Sequence, residues 1–287
     1  MQIIIEQILN ALQMGVLLFL IASGLSLIFG LMHVVNLAHG ALYMVGAYFG
    51  ITIAQGLGNF YLAVLLAPLL TAVVGVLVER TLLSRTYGRG MYPQVLLTLG
   101  LVFCFDELVR IVWGAPIQTL TLPPELAESV MLAGVSLPIY RVFVVAIGIL
   151  VIVALLLAFG RTRLGAMVRA GVDDREMAEA LGINVGRLFG GVFAVGAALA
   201  GLAGVLAVPI FNAYPGMGSE ILISALVVVV VGGMGSLAGA LIASLLIGAA
   251  TVVGQVFAAE FSTAVIYLIL VAVLLIRPQG IMGSVAR

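Results

Sequence analysis

The chain has 287 residues, 64% hydrophobic and only 8% charged, and its twelve basic and twelve acidic side chains leave no net charge. Soluble domains carry about 45–50% apolar residues, so this composition excludes one of them and defines a polytopic membrane protein. Every basic residue is arginine; without lysine the chain lacks the phosphate loop G-x-x-x-x-G-K-[ST], and ATP-driven chemistry has to come from another chain.

A spanning helix needs about 20 mainly apolar residues, because the hydrocarbon layer is ~30 Å thick and each residue rises ~1.5 Å. Along the chain the apolar stretches are 14–31, 38–54, 61–78, 95–113, 142–159, 188–208, 221–231 with its continuation, 237–257 and 262–276. They predict an all-α fold of 8–9 transmembrane helices, some broken or short, forming one domain over 1–287. A β-barrel is excluded, since its strands would alternate apolar and polar residues over roughly ten positions.

Between the first two stretches the chain turns at Asn36 and His39, among small and apolar residues. Their expected role is to hydrogen-bond loop backbone that the membrane leaves without water, the alternative being a gate or a lining of a path. His33 and His39 are the only histidines, and six residues apart they share no helix face, so no metal site is expected. In the fourth stretch Asp106, Glu107 and Arg110 form i, i+3 and i, i+4 pairs, so one arginine can neutralise either acid and one acid is left over. Ionisable groups inside a membrane are functional candidates. Counted from Gln94 they fall beyond the midplane, which puts them at the outer mouth of a path or lets them snorkel to the outer interface. Lone Cys104 reads as a packing residue, and Tyr61, Trp113 and Tyr140 near span ends read as interface anchors.

The densest charge lies between Gly160 and Arg187, where nine ionisable residues interrupt two apolar stretches. Such an island has to sit in water, as a loop at the membrane surface. With Arg80, Arg85, Arg89, Arg277 and Arg287, its five arginines bring ten of the twelve to one face, which the positive-inside rule makes cytoplasmic. The amino terminus is then external and the carboxyl terminus cytoplasmic. The loops 114–141 and 209–220 are external; the first contains Glu125 and Glu128 and is rich in proline. Inside the island, Asp173–Leu181 reads as a short amphipathic helix, with Asp173 or Asp174 capping its start and Gly182 ending it. Met177, Ala180 and Leu181, at i, i+3 and i+4, make an apolar strip beside the charged Arg175, Glu176 and Glu179. A strip of that size suits a groove on a partner protein.

Glycine supplies 35 residues. Small residues at four-residue spacing, such as Gly46–Gly50, Ala197–Gly201, Ala200–Gly204, Gly235–Gly239 and Ser244–Gly248, let helix backbones approach closely in lipid. The run Gly232-Gly233-Met234-Gly235-Ser236 is instead too poor in helix formers to continue a span, and predicts a break near the cytoplasmic side. Irregular backbone at that depth has to be buried in protein or to line a wet cavity.

Several segments together resemble a known family. Gly24-Leu25-Ser26-Leu27-Ile28-Phe29-Gly30, Val35-Asn36-Leu37-Ala38-His39-Gly40 and Gly46-Ala47-Tyr48 resemble the first hairpin of permease subunits from branched-chain amino acid ABC importers, the LivH type. Arg169-Ala170, Asp174, Glu176-Met177-Ala178 and Leu181-Gly182-Ile183-Asn184 resemble its cytoplasmic loop. Ala197–Gly204, Val231-Gly232-Gly233-Met234-Gly235-Ser236 and Arg277-Pro278-Gln279-Gly280-Ile281-Met282-Gly283 follow in family order. The resemblance implies a permease subunit that is not itself an enzyme and binds no cofactor. Two such subunits would form the path, two ATPase subunits would carry ATP at the cytoplasmic face, and an external binding protein would deliver the substrate. No nucleic acid is involved.

On that resemblance Arg169, Asp173, Asp174, Arg175, Glu176, Met177, Glu179, Ala180, Leu181 and Gly182 form the element coupled to the ATPases. Asn36, His39, Gly232, Gly233 and Gly235 flank a path or gate, as broken helices do in many transporters. The implied cargo is a branched-chain or other hydrophobic amino acid, with amides or urea as the alternative. A different class, an ion-coupled secondary transporter in the bacterial plasma membrane, would have only Asp106 and Glu107 to titrate.

Overall fold

Each apolar stretch coincides with a helix in the computed structural model, which describes residues 2–32, 34–132, 135–257 and 259–283. In chain order the elements are α1 (Gln2–Met32), α2 (His39–Leu57), α3 (Phe60–Thr81), a 3-10 turn at Leu83–Thr86, α4 (Met91–Trp113) and the short α5 (Pro124–Ala127). The strands β1 (Ser129–Leu132) and β2 (Val135–Pro138) precede α6 (Ile139–Arg161), α7 (Arg163–Asp173), α8 (Arg175–Ala180) and α9 (Val185–Phe211). The chain closes with α10 (Met217–Gly232), α11 (Leu237–Phe257), a 3-10 turn at Ala259–Phe261 and α12 (Ser262–Ile276). His33 and Arg287 lie outside the described residues. Among the described residues six helices are long and apolar enough to cross a membrane, against the 8–9 expected. Of the other apolar helices, α10 is shorter, as is the apolar part of α12, while α4 carries Asp106, Glu107 and Arg110.

The helix α1 is the axis of the bundle, with 83% of its apolar window buried against 22% for α6. It packs on α6, α9, α10 and α11, while α9 also packs on α2 and α3. The spacing of small residues makes these approaches possible. A Cβ on Gly46 would overlap the Gly201 backbone, one on Gly204 the Tyr43 carbonyl, and one on Gly248 would sit 2.5 Å from the Gly15 nitrogen. Around this core, α3, α4, α6 and α12 turn residues such as Leu65, Leu69, Phe103, Leu150 and Leu275 outwards. In lipid an apolar outer face needs no cover, which is why those helices remain one layer deep.

Three expectations are corrected at the helix ends. The charged island holds two helices, α7 and α8, meeting at Asp174, where one short helix was expected. The connector expected over 209–220 shrinks to 212–216, because α9 continues through Pro209 to Phe211 and α10 starts at Met217. Likewise 114–141 is folded. It contains α5 and the antiparallel pair β1 and β2, and its Gln118 exchanges backbone hydrogen bonds of 2.8 Å with Ala213 of the other connector. Of the three supposed interface anchors one points inwards and a second is half-buried. Tyr140 is buried and donates to the Leu206 carbonyl at 2.7 Å, and Trp113 donates to Thr52 at 2.7 Å while packing on Tyr48. Only Tyr61 is exposed as an anchor would be. Cys104, expected to pack, is also exposed.

Candidate functional site

At the end of the bundle that carries the island, Thr162 starts α7 by accepting from the Gly165 N–H at 3.3 Å. Arg169 reaches back from α7 to the Phe159 carbonyl at the end of α6, fastening the two helices together. The chain is extended at Asp174, whose carboxylate accepts from the Met177 N–H at 2.9 Å and so caps α8. Asp174, and not Asp173, is the cap; Asp173 is the last residue of α7. After Ala180 the helix stops, and Gly182 takes φ +86°, a left-handed conformation that any side chain would strain. Asn184 then caps α9 through the Arg187 N–H at 3.0 Å.

This capping settles how α8 sits. Ala178 is buried, whereas Met177 is 57% exposed and Leu181 75% exposed, with Glu176, Glu179 and Ala180 also on the outside. The backbone of Arg175 begins α8. The predicted strip of Met177, Ala180 and Leu181 is thus present and uncovered, beside two carboxylates. Sequence reasoning missed a neighbouring brace: Glu79, only 4% exposed at the end of α3, accepts from the Tyr87 hydroxyl at 2.9 Å. Tyr87 stacks edge-on against Phe189 of α9 at 5.6 Å. A lone glutamate closing an apolar helix, eight residues before a tyrosine, was the available signal.

The second group of candidates surrounds the last turns of α1. Asn36 is 1% exposed and accepts from the Ala38 N–H at 3.1 Å, while its Nδ2 has no partner. His39 is fully buried at the start of α2, with Nε2 3.1 Å from the Ile21 carbonyl and Nδ1 without a partner. At the break between α10 and α11, Gly233 and Gly235 have φ of +100° and +84°. Gly235 meets Gly30 of α1, and Gly232 meets Gly239 so closely that a Cβ on either would overlap the other's backbone. Gly24, beside His39, and Gly30 are six residues apart on α1, roughly 9 Å along its axis. The hairpin turn and the glycine break therefore flank one stretch of α1. The tail closes this region: Ile281 and Met282 donate to the Val231 and Gly232 carbonyls at 2.8 and 3.0 Å, satisfying acceptors that the end of α10 leaves free.

Asp106, Glu107 and Arg110 lie towards the other end, and the expected ion pair is not formed among the described residues. Glu107 and Arg110 are exposed; Asp106 is half-buried, faces the backbone N–H of Gly216, and leaves Oδ1 without a partner. Nearby, Tyr214 donates to Glu220 at 2.6 Å. Burial pushes the Tyr214 phenol up to about 12, with the Glu220 carboxylate adding to the shift, so this donor stays protonated across the physiological range.

Residues 7–274 match the family described as the permease component of the branched-chain amino acid transport system. The chain belongs to this permease family. It is 32% identical to the high-affinity branched-chain amino acid transport system permease protein BraD of Pseudomonas aeruginosa, over 97% of this chain and 95% of that protein. It is 27% identical to LivH of Salmonella typhimurium, again over 97% and 95%. A probable branched-chain amino acid transport permease of Methanocaldococcus jannaschii is 29% identical over 93% and 89%. As a permease component it is a multi-pass membrane protein, and the family assignment covers both the island and the glycine break.

Proposed function

We propose that the chain is the membrane-spanning subunit of an ATP-binding-cassette importer for branched-chain or other hydrophobic amino acids. It lies in the bacterial plasma membrane with the amino terminus outside and the island in the cytoplasm. The observation that carries the reading is α8: a capped helix whose apolar strip of Met177, Ala180 and Leu181 is left uncovered beside carboxylates. In a permease that contains no phosphate loop, such a surface fits an ATPase subunit, one for each of two permease subunits. Nucleotide closes the ATPases, α8 passes the movement through Arg169 and α7 to α6 and α9, and the bundle changes the side to which it opens. Asn36, His39, Gly232, Gly233 and Gly235 are the elements around α1 that this movement gates. Asp106, Glu107 and Arg110 stand at the outer mouth, where an external binding protein docks.

The test is purification of the complex followed by reconstitution. Co-isolation of ATPase and second permease subunits, with leucine uptake that requires ATP and the binding protein, is the expected result. Uptake by this chain alone would refute it. Replacing Gly182 by valine meets no atom, yet strains the φ of +86° and misdirects α8. The variant is expected to reach the membrane normally and to lose substrate-stimulated ATP hydrolysis at least tenfold; unchanged stimulation would exclude α8 as the joint.

A further inference from the structure

Four helix ends meet around a cavity of about 180 Å³ that none of the roles above uses: the start of α1, the start of α6, and the ends of α9 and α11. Its polar lining is Asn10, Gln13, Arg141, Thr251 and Gln255, and Phe211 closes one side. These groups are incomplete in a specific way. Arg141 forms no ion pair among the described residues. Gln13 is only 5% exposed, and its Nε2 has no acceptor. Asn10 gives its Nδ2 to Gln7 Oε1 at 3.1 Å, which fixes the amide and leaves the buried Oδ1 as an acceptor without a donor. Thr251 spends its proton on the Ile247 carbonyl at 2.8 Å, so its oxygen can only accept.

A buried donor or acceptor left unsatisfied is destabilising, and a half-buried guanidinium without a counter-ion calls for an anion. The cavity therefore presents a cation and a spare donor together with two spare acceptors. That is the complement of a small zwitterion: a carboxylate matches Arg141 and Gln13, and an ammonium group matches Asn10 Oδ1 and Thr251 Oγ1. The space exceeds what one water needs. The cavity's apolar walls, Leu17, Ile210 and Val252, suit an aliphatic side chain.

We infer that this cavity is an amino-acid binding site at the outer end of the permease, with Arg141 and Gln13 holding the α-carboxylate and Asn10 and Thr251 the α-ammonium group. The inference rests on the proposed amino-acid cargo. It places the first contact of the released substrate with the permease away from Asp106, against α1. A second cavity of about 210 Å³, lined by Tyr43, Tyr214 and Glu220, shares Met14 and Phe211 with it, so those two side chains stand between the two spaces.

The test uses the assembled complex in vesicles, with Cys104 replaced by alanine and Gln255→Cys as a reporter at the exposed rim of the cavity. Leucine is expected to slow maleimide labelling at Gln255→Cys about tenfold, whereas leucinamide, which lacks the carboxylate, and 4-methylpentanoate, which lacks the ammonium group, do not. Arg141→Gln is expected to raise the leucine concentration needed for protection about tenfold or more, as expected for loss of a charge-assisted hydrogen bond, with Arg141→Lys recovering part of it. Equal protection by leucinamide, or none by leucine in vesicles that still import leucine, overturns the inference. Protection without leucine in phosphatidylethanolamine vesicles but not in phosphatidylcholine vesicles gives the site to a lipid headgroup and also overturns it. Absence of leucine import by the unaltered complex would instead refute the proposed cargo.

Discussion

A single methyl group decides how closely α2 and α9 approach. At Gly46 a Cβ would overlap the Gly201 backbone, and backbone cannot rotate away as a side chain can. Gly100 on the outer side of α4 has no atom within 4 Å of the same position. Gly46→Ala is therefore expected to destabilise the permease by about 1–3 kcal/mol, lowering its apparent melting temperature in detergent by about 5 °C. Gly100→Ala, a substitution that favours helix, is expected to leave the melting temperature unchanged or slightly raised. Thermal unfolding of both variants, followed by tryptophan fluorescence, checks the pair; equal behaviour would show that α2 and α9 do not depend on the glycine contact.

At the scale of elements, α8 is held by few bonds and its orientation follows from them. Asp174 fixes its start, Gly182 its end, and Ala178 its buried side, so Met177 and Leu181 have no choice but to face outwards. Replacing both by glutamate removes the apolar strip without touching the protein's own core. The expected outcome is normal membrane insertion with loss of co-purifying ATPase, read by affinity isolation of the complex. Retention of the ATPase by the double variant would assign the strip to the lipid surface. The cap, the glycine stop and the strip were all legible in sequence, because each depends on residues within one turn of the other. The helix α7, which packs on α6, α1 and α9, was not, since charges at Arg163 and Arg169 conceal its apolar residues. Tyr140 was misread for a related reason. An aromatic residue near a span end looks the same in sequence whether it meets lipid headgroups or a buried carbonyl on a distant helix.

The whole molecule adds what no local pattern contains, namely which helix ends share a face. The start of α1, the start of α6 and the ends of α9 and α11 line one cavity, and the tail after α12 binds the end of α10 at the opposite side. Spans were legible because an apolar run of sufficient length has one solution in lipid, whereas the Asn10, Gln13 and Arg141 cluster joins residues some 130 positions apart. With the arginine-rich ends on the other face, the proposed orientation puts the cavity outside. This orientation has a direct consequence for labelling in intact cells. In a chain with Cys104 replaced by alanine, a cysteine at Glu125, exposed on α5, is expected to react with a membrane-impermeant maleimide, while one at Glu179, exposed on α8, reacts only after the cells are opened. The two sites sit on exposed helix surfaces, so neither depends on local unfolding to react. The reverse pattern would invert the bundle, moving the Arg141 cavity to the cytoplasm and α8 out of reach of any ATPase.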